Sequence, residues 1–347
     1  MISPEHGLSS STVRGGRATA LVAVGLLAVS FASPGAAQSP SFLNINPSWS
    51  PDGKRLVFQS ERFGTNELFI VDADGGNLRR LTSNGVDDTH PAWSPDGELI
   101  VFDSNRGGVW EIYVIRSDGT RERRLTYREG SRGVEHGRHP SWSPDGKRIL
   151  FDSDREGSLQ VYEMDRDGRA PRRLTAARGR AGHAAYTPDG REILYTGVVD
   201  GNQDVWVMNA DGSNPRRLTD HPGPDGAGRL SPDGRTIAFY SEREGNPDIF
   251  LMNRDGSNLR NVTRDSATAY ELAWSPDGRT IAYYSSAPGR FELFLMDADG
   301  GNQRQITSTG YDNAWPQWSP DGRSVVFASN RDGGDWEIYR MAADGAD

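Results

Sequence analysis

Three histidines fall at one register. His90, His139 and His183 each lie six residues before the aspartate of a Pro-Asp-Gly turn, at Asp96, Asp145 and Asp189. The same position holds Asn46, Ala227, Glu271 and Trp315 in four further copies. Imidazole is the commonest metal ligand, and three imidazoles that leave a position open suit Zn²⁺ or a similar divalent ion. Glu271 would add a carboxylate only across a narrow channel. The plainer reading makes these histidines polar lining for a wet channel mouth. No other cofactor is expected.

Charge around this register is uneven. A five-residue insertion lies within Tyr127 to Arg138, a stretch that brings Arg128, Arg132, His136 and Arg138, followed by Arg178, Arg180 and Arg229. Asp87, Asp88, Asp265, Glu271 and Asp312 fall in other copies. A basic sector on an acidic protein can draw an anionic ligand, such as an acidic peptide or a uronate sugar. The alternative is a solvated mixed surface. His90, His139, His183, Glu271, Trp315, Arg138 and Arg229 are therefore the candidate binding residues, with the three histidines as candidate metal ligands. Arg62, Arg106, Arg155, Arg243 and Arg331 recur behind Ser-Glu, Ser-Asn or Ser-Asp. Their regularity favours structural hydrogen bonds.

The elements that place these residues are repeats. Trp49-Ser50-Pro51-Asp52-Gly53 returns with its Asp at 96, 145, 189, 233, 277 and 321, a step of 44 residues except for one of 49. A period of about 40–45 with four strands per unit marks a propeller blade. Each unit holds a short strand ending at the turn, an apolar strand such as Leu56-Val57-Phe58, and an alternating strand such as Glu67-Leu68-Phe69-Ile70. A last strand such as Arg79-Arg80-Leu81-Thr82 completes it. A second Asp-Gly turn, at Asp74-Gly75 and its kin, supplies the positive φ of a tight hairpin. The Trp at each turn is expected to wedge neighbouring blades together, with looser packing at Tyr186 and Leu230. The expected fold is an all-β, seven-bladed propeller of four-stranded antiparallel blades. Too little chain precedes the first repeat to supply a full outer strand. The last blade is therefore expected to be three-stranded, or briefly paired by Phe42-Leu43 of the N-terminal segment. Both Asp-Gly turns fall on one monotonous face, and the loops of the other face vary. Varied loops on a repeated scaffold are where binding is usually found.

Arg14 and Arg17, the apolar run Ala18 to Ala32 and Gly35-Ala36-Ala37 read as a secretory signal peptide over residues 1–37, with the propeller at 38–347. Without residues 1–37 the chain carries 37 Lys and Arg against 47 Asp and Glu, a net charge of about −10. That argues against nucleic-acid binding. With no cysteine, disulfides, thiol catalysis and Cys-based metal sites are excluded.

The aromatic-Ser-Pro-Asp-Gly turn, the apolar second strand and the Leu-Thr exit resemble the TolB-type, WD-repeat-like propeller family over about residues 46–347. The resemblance implies an exported, periplasmic or secreted bacterial protein that binds a protein partner, such as an envelope lipoprotein or complex. A monomer outside the membrane is expected. Beside the TolB pattern, the chain is expected to be without the α/β domain that precedes the TolB propeller, and it counts seven repeats where TolB has six blades. The alternative function is a metal-dependent enzyme similar to the oligogalacturonate lyases. His90, His139 and His183 would then be ligands, and Arg138 or Arg229 would hold a carboxylate.

Overall fold

The Pro-Asp-Gly turn sets the period because it closes on itself. In the first copy the Ser50 hydroxyl donates to Asp52 Oδ1 at 2.7 Å, and the amides of Lys54 and Arg55 donate to Asp52 Oδ1 and Ser50 Oγ at 3.1 and 2.9 Å. Gly53 sits at φ 68°, in the left-handed region that favours glycine. The Ser50 hydroxyl, then the Lys54 amide, hold the Asp52 carboxyl below its ordinary value.

The computed structural model describes residues 43–127, 137–176, 179–264, 268–287 and 289–344. These form seven antiparallel sheets, six of four strands and one of three. The first blade runs Asn44–Trp49, Arg55–Ser60, Glu67–Asp72 and Arg79–Arg80 in that spatial order. Phe58, Phe102, Phe151, Phe239 and Phe327 of the second strands are fully buried, and the core lies in clusters between successive blades.

The exit strands lock each blade by one recurring bond. Thr82, Thr126, Thr175, Thr219, Thr263 and Thr307 each accept, through Oγ1, a third-strand amide at 2.8–3.0 Å. The repeated arginines are structural, as expected. Nε of Arg62, Arg106, Arg155, Arg243 and Arg331 donates to Ser60, Ser104, Ser153, Ser241 and Ser329 at 2.8–3.0 Å. The guanidinium of Arg106, for example, lies 4.2 Å from the Tyr113 ring centroid.

The tryptophans do join blades, but mostly half-buried. Trp142 and Trp318 donate Nε1–H to Ala92 and Ala273 carbonyls of the preceding blade at 3.1 Å. The expected looseness is not seen. Tyr186 donates its hydroxyl to Glu163 of the preceding blade at 2.5 Å, and Leu230 is buried.

The last blade has three strands, Asn313–Trp318, Ser324–Ser329 and Glu337–Ala342. Leu43 makes an isolated parallel bridge to Trp336, and the Asn44 amide donates to Trp336 O at 2.8 Å. Phe42 and residues 1–37, where a signal peptide is expected, lie outside the described residues. No helix among the described residues is long and apolar enough to cross a membrane.

Candidate functional site at the channel mouth

In all seven blades the innermost strand carries a residue at positive φ, and the pairing register shifts beside it. These residues are Asn46, His90, His139, His183, Ala227, Glu271 and Trp315, at φ 38–55°. This is the register singled out above. A left-handed non-glycine residue costs roughly 1–2 kcal/mol, and a β-bulge re-aims the side chain that it carries.

A second residue, thirteen positions on in the second strand, stands behind each bulge. The set is Gln59, Asp103, Asp152, Thr196, Tyr240, Tyr284 and Ala328. Asp103 and Asp152 are 0% and 1% exposed. His90 Nδ1 lies 3.1 Å from Asp103 Oδ2, and His139 Nδ1 lies 3.0 Å from Asp152 Oδ2. The same carboxylates accept the backbone N–H of the next blade's histidine. His139 N donates to Asp103 Oδ2 and His183 N to Asp152 Oδ2, both at 3.0 Å. Gln59 Oε1 begins the series by accepting His90 N–H at 3.1 Å. A ladder of acceptor and imidazole thus crosses blades one to four and ties each bulge to its neighbour.

The three imidazoles do come together. Ring centroids are 4.5 Å apart for His90 and His139, and 4.4 Å for His139 and His183. The candidate ligand set nevertheless differs from the three histidines expected. Ligand atoms of His139, Asp152 and His183 lie within 4.8 Å of one another, while His90 turns Nδ1 to Asp103. Asp152 Oδ1 is buried and has no hydrogen-bond partner among the described residues. A mixed imidazole and carboxylate set with an unused buried oxygen suits a divalent cation. Gly182 makes room for this carboxylate, since a Cβ there would lie 2.8 Å from Asp152 Oδ2.

Electrostatics separate the members. Burial alone would raise Asp103, but the charge and hydrogen bond of His90, with Arg138 and His139, lower its carboxyl to about 2. Burial would lower His139, yet the hydrogen bond and charge of Asp152, with Asp103, leave it raised. His183 is lowered to about 4 by its protein surroundings first, then by the charge of His139, with Arg229 and His90 adding. That shift favours the neutral imidazole at neutral pH, with a nitrogen lone pair open to a metal ion.

The remaining candidates divide. Arg138 is folded back, its Nε 3.5 Å from Asp103 Oδ2 and its guanidinium 4.2 Å from the Trp110 ring centroid, so it supports the ladder. Arg229 is exposed and has no carboxylate partner among the described residues; its Nη1–H donates to Gly228 O at 3.2 Å. Glu271 stands apart from the imidazole and carboxylate cluster. Its carboxyl is raised, by the protein around it first, against the pull of Arg229. Glu271 is nonetheless exposed. Trp315 packs edge-on against Trp336 at 5.1 Å, at the closing seam.

Much of the acidic sector is committed to structure. Asp88 pairs with Arg106 at 3.0 Å, and Asp87 and Asp312 accept the amides of Asn66 and Phe291. Arg128, Arg132, His136, Arg178 and Asp265 lie outside the described residues. Asp103, Asp152 and Gln59 are the members of the candidate site that sequence reasoning missed. The signal was present as Phe102-Asp103-Ser104 and Phe151-Asp152-Ser153, an acid inside an otherwise apolar strand.

The TolB beta propeller domain family matches residues 32–136, 174–292 and 267–347. The TolB protein of the Tol-Pal system of Syntrophus aciditrophicus (strain SB) is 43% identical over 47 residues, 14% of this chain and 10% of that one. A putative TolB from Agrobacterium tumefaciens superposes with a TM-score of 0.56 at 24% identity, over 77% of this chain and 94% of that one. Oligogalacturonate lyase from Vibrio parahaemolyticus gives 0.70 at 17% identity, over 88% and 91%. A manganese complex of an oligogalacturonate lyase gives 0.68 at 17%, over 85% and 87%. The structural likenesses establish a shared fold, and the family match covers most of the sequence: the chain belongs to the TolB β-propeller family.

Proposed function

We propose that this protein is an exported, periplasmic binding scaffold that takes a protein partner at the mouth of its channel. One observation carries the reading: seven bulges of one geometry hold five kinds of side chain at one register of the innermost strands, on an otherwise repeated frame. A scaffold that spends strain at every blade to present a varied ring is built for recognition. The imidazole arc and unpaired Arg229 favour an acidic segment on the partner. Membership in the TolB family supports an envelope partner such as a peptidoglycan-associated lipoprotein. The test is calorimetric titration of the mature protein with the soluble domain of that lipoprotein from the same organism. Binding that is lost in the His90→Ala, His139→Ala, His183→Ala variant and kept in a variant of the Asp-Gly face supports the reading. Equal binding by both variants refutes the site.

A second reading is favoured by the His139, Asp152 and His183 cluster and its orphaned carboxylate oxygen. In it the channel holds a divalent metal, which would supply Lewis-acid chemistry at the mouth. His139 and His183 would offer imidazole nitrogen and Asp152 one carboxylate oxygen. Asp103 would orient the flanking His90, and Arg229 would hold a substrate carboxylate. The likeness in fold to oligogalacturonate lyases places a uronate among substrates to screen. Elemental analysis tests it: one transition metal per chain, removed by Asp152→Asn, supports it, and a metal-free protein unaffected by chelator refutes it.

A further inference from the structure

On the opposite face, each cleft between successive blades is overlooked by the residue that follows the third strand. Two of the seven such residues are arginines. Arg166 sends Nη1 to Asp96 Oδ2 of the preceding blade at 3.0 Å, its guanidinium 6.0 Å from the Trp142 ring centroid. Arg254 sends Nη1 to Asp189 Oδ2 at 3.0 Å and Nε to Glu192 at 2.8 Å. In blade seven the position is Ala343. Its backbone is placed identically: the amides of Arg166, Arg254 and Ala343 donate to the carbonyls of Lys147, Arg235 and Arg323 at 2.9–3.0 Å.

The receiving groups remain. Trp318 is docked like Trp142, each indole donating to the preceding blade at 3.1 Å. Asp277 uses Oδ1 for Ser275 and Arg279, as Asp96 does for Ser94 and Glu98, and its Oδ2 has no partner among the described residues. Where Arg55 of blade one lies 5.0 Å from the Trp93 ring centroid, blade six has Thr280. The result is an open cleft of about 570 Å³ lined by Asp277, Asp297, Asp321, Trp318 and Ala343. Arg304, at its edge, is turned to the carbonyl of Asp344 at 2.8 Å.

We propose that the cleft between blades six and seven receives a guanidinium from outside, the arginine side chain of a partner protein, in the place that Arg166 and Arg254 fill in sister clefts. A planar cation that stacks on an indole and pairs with a carboxylate is the chemistry these groups accept. This contact lies on the face opposite the channel mouth and stands independently of the partner proposed there.

The probe is L-argininamide, titrated into the full-length mature protein while the Trp318 indole N–H resonance is followed by NMR. A saturable shift in the roughly millimolar range is expected, with L-citrullinamide and L-lysinamide binding at least about fivefold more weakly. Asp277→Asn should weaken argininamide about fivefold. Ala343→Arg should abolish the response and leave the melting temperature equal or higher. An unmoved resonance, equal binding of lysinamide, or undiminished binding in Ala343→Arg would each overturn the proposal.

Discussion

The two halves of the channel mouth share a backbone and differ in what stands behind it. Across blades two to four, His90, His139 and His183 sit on bulges bonded to buried Asp103 and Asp152. Across blades five to seven, Ala227, Glu271 and Trp315 sit on the same bulges, with Tyr240, Tyr284 and Ala328 behind them. There the contacts are between rings. Tyr240 and Tyr270 lie 6.1 Å apart, Tyr270 and Tyr284 6.2 Å, and Tyr284 and Phe291 5.3 Å. Burial, then the charge of Glu271, raises the Tyr284 phenol and keeps it neutral. The fold therefore needs the bulge and tolerates either filling. A buried carboxylate is the costlier choice, and finding two of them side by side marks the imidazole half as the specialised one.

Removing a carboxylate should break the comparison most visibly. Asp152→Ala leaves the Nδ1 side of His139 and the His183 amide without their acceptor, and should cost about 3 kcal/mol. Thr196→Ala, at the equivalent place in blade four, should cost about 1 kcal/mol. Denaturant unfolding of both variants measures the difference, and equal losses would show that a buried carboxylate behind a bulge counts for no more than a hydroxyl.

Next in size is Gly182→Ala. The added Cβ falls 2.8 Å from Asp152 Oδ2, so the carboxylate must shift. A loss of about 1–3 kcal/mol is expected, together with altered imidazole resonances for His139.

The pH response sharpens the contrast within the arc itself. In chelator-treated protein, NMR titration should place His183 near pH 4 and His139 above its ordinary value. The two signs oppose. His183 binds its proton more weakly when folded, so its contribution to stability falls as pH drops from about 6.5 through 4. His139 binds its proton more tightly, so its contribution is full below about 6.5 and is lost as pH rises through its folded value. Coincident titration of the two would contradict the ladder.

The smallest effect is expected from Ala227→His. It puts a fourth imidazole on an existing bulge, at φ 53°, but Tyr240 rather than an aspartate stands behind it. Stability should change by about 0.5 kcal/mol or less, with no gain in metal uptake.

Most of the fold was legible because its punctuation repeats: Asp52 and its six successors fix blade number, turn type and strand order. The histidine register was legible for the same reason. The carboxylates were not, because Asp103 and Asp152 lie in strands whose apolar runs dominate the pattern, and their offset from the bulge emerges only once strands are paired. Asp87, Asp88 and Asp312 looked like free surface charge. Nothing local in sequence shows that Asp88 faces Arg106, or that Asp312 accepts the Phe291 amide. The half-burial of Trp142 and Trp318 escaped for a similar reason, since position at a blade edge is a property of the ring.

The most direct test of the imidazole arc as the recognition site is a paired binding measurement. The wild-type protein, the His90→Ala, His139→Ala, His183→Ala variant and a Tyr270→Ala variant of the aromatic half would each be titrated with the envelope lipoprotein's soluble domain. Loss of binding in the first variant, with at most a small change in the second, is the predicted result. Retained binding in the histidine variant, or loss confined to Tyr270→Ala, would contradict it.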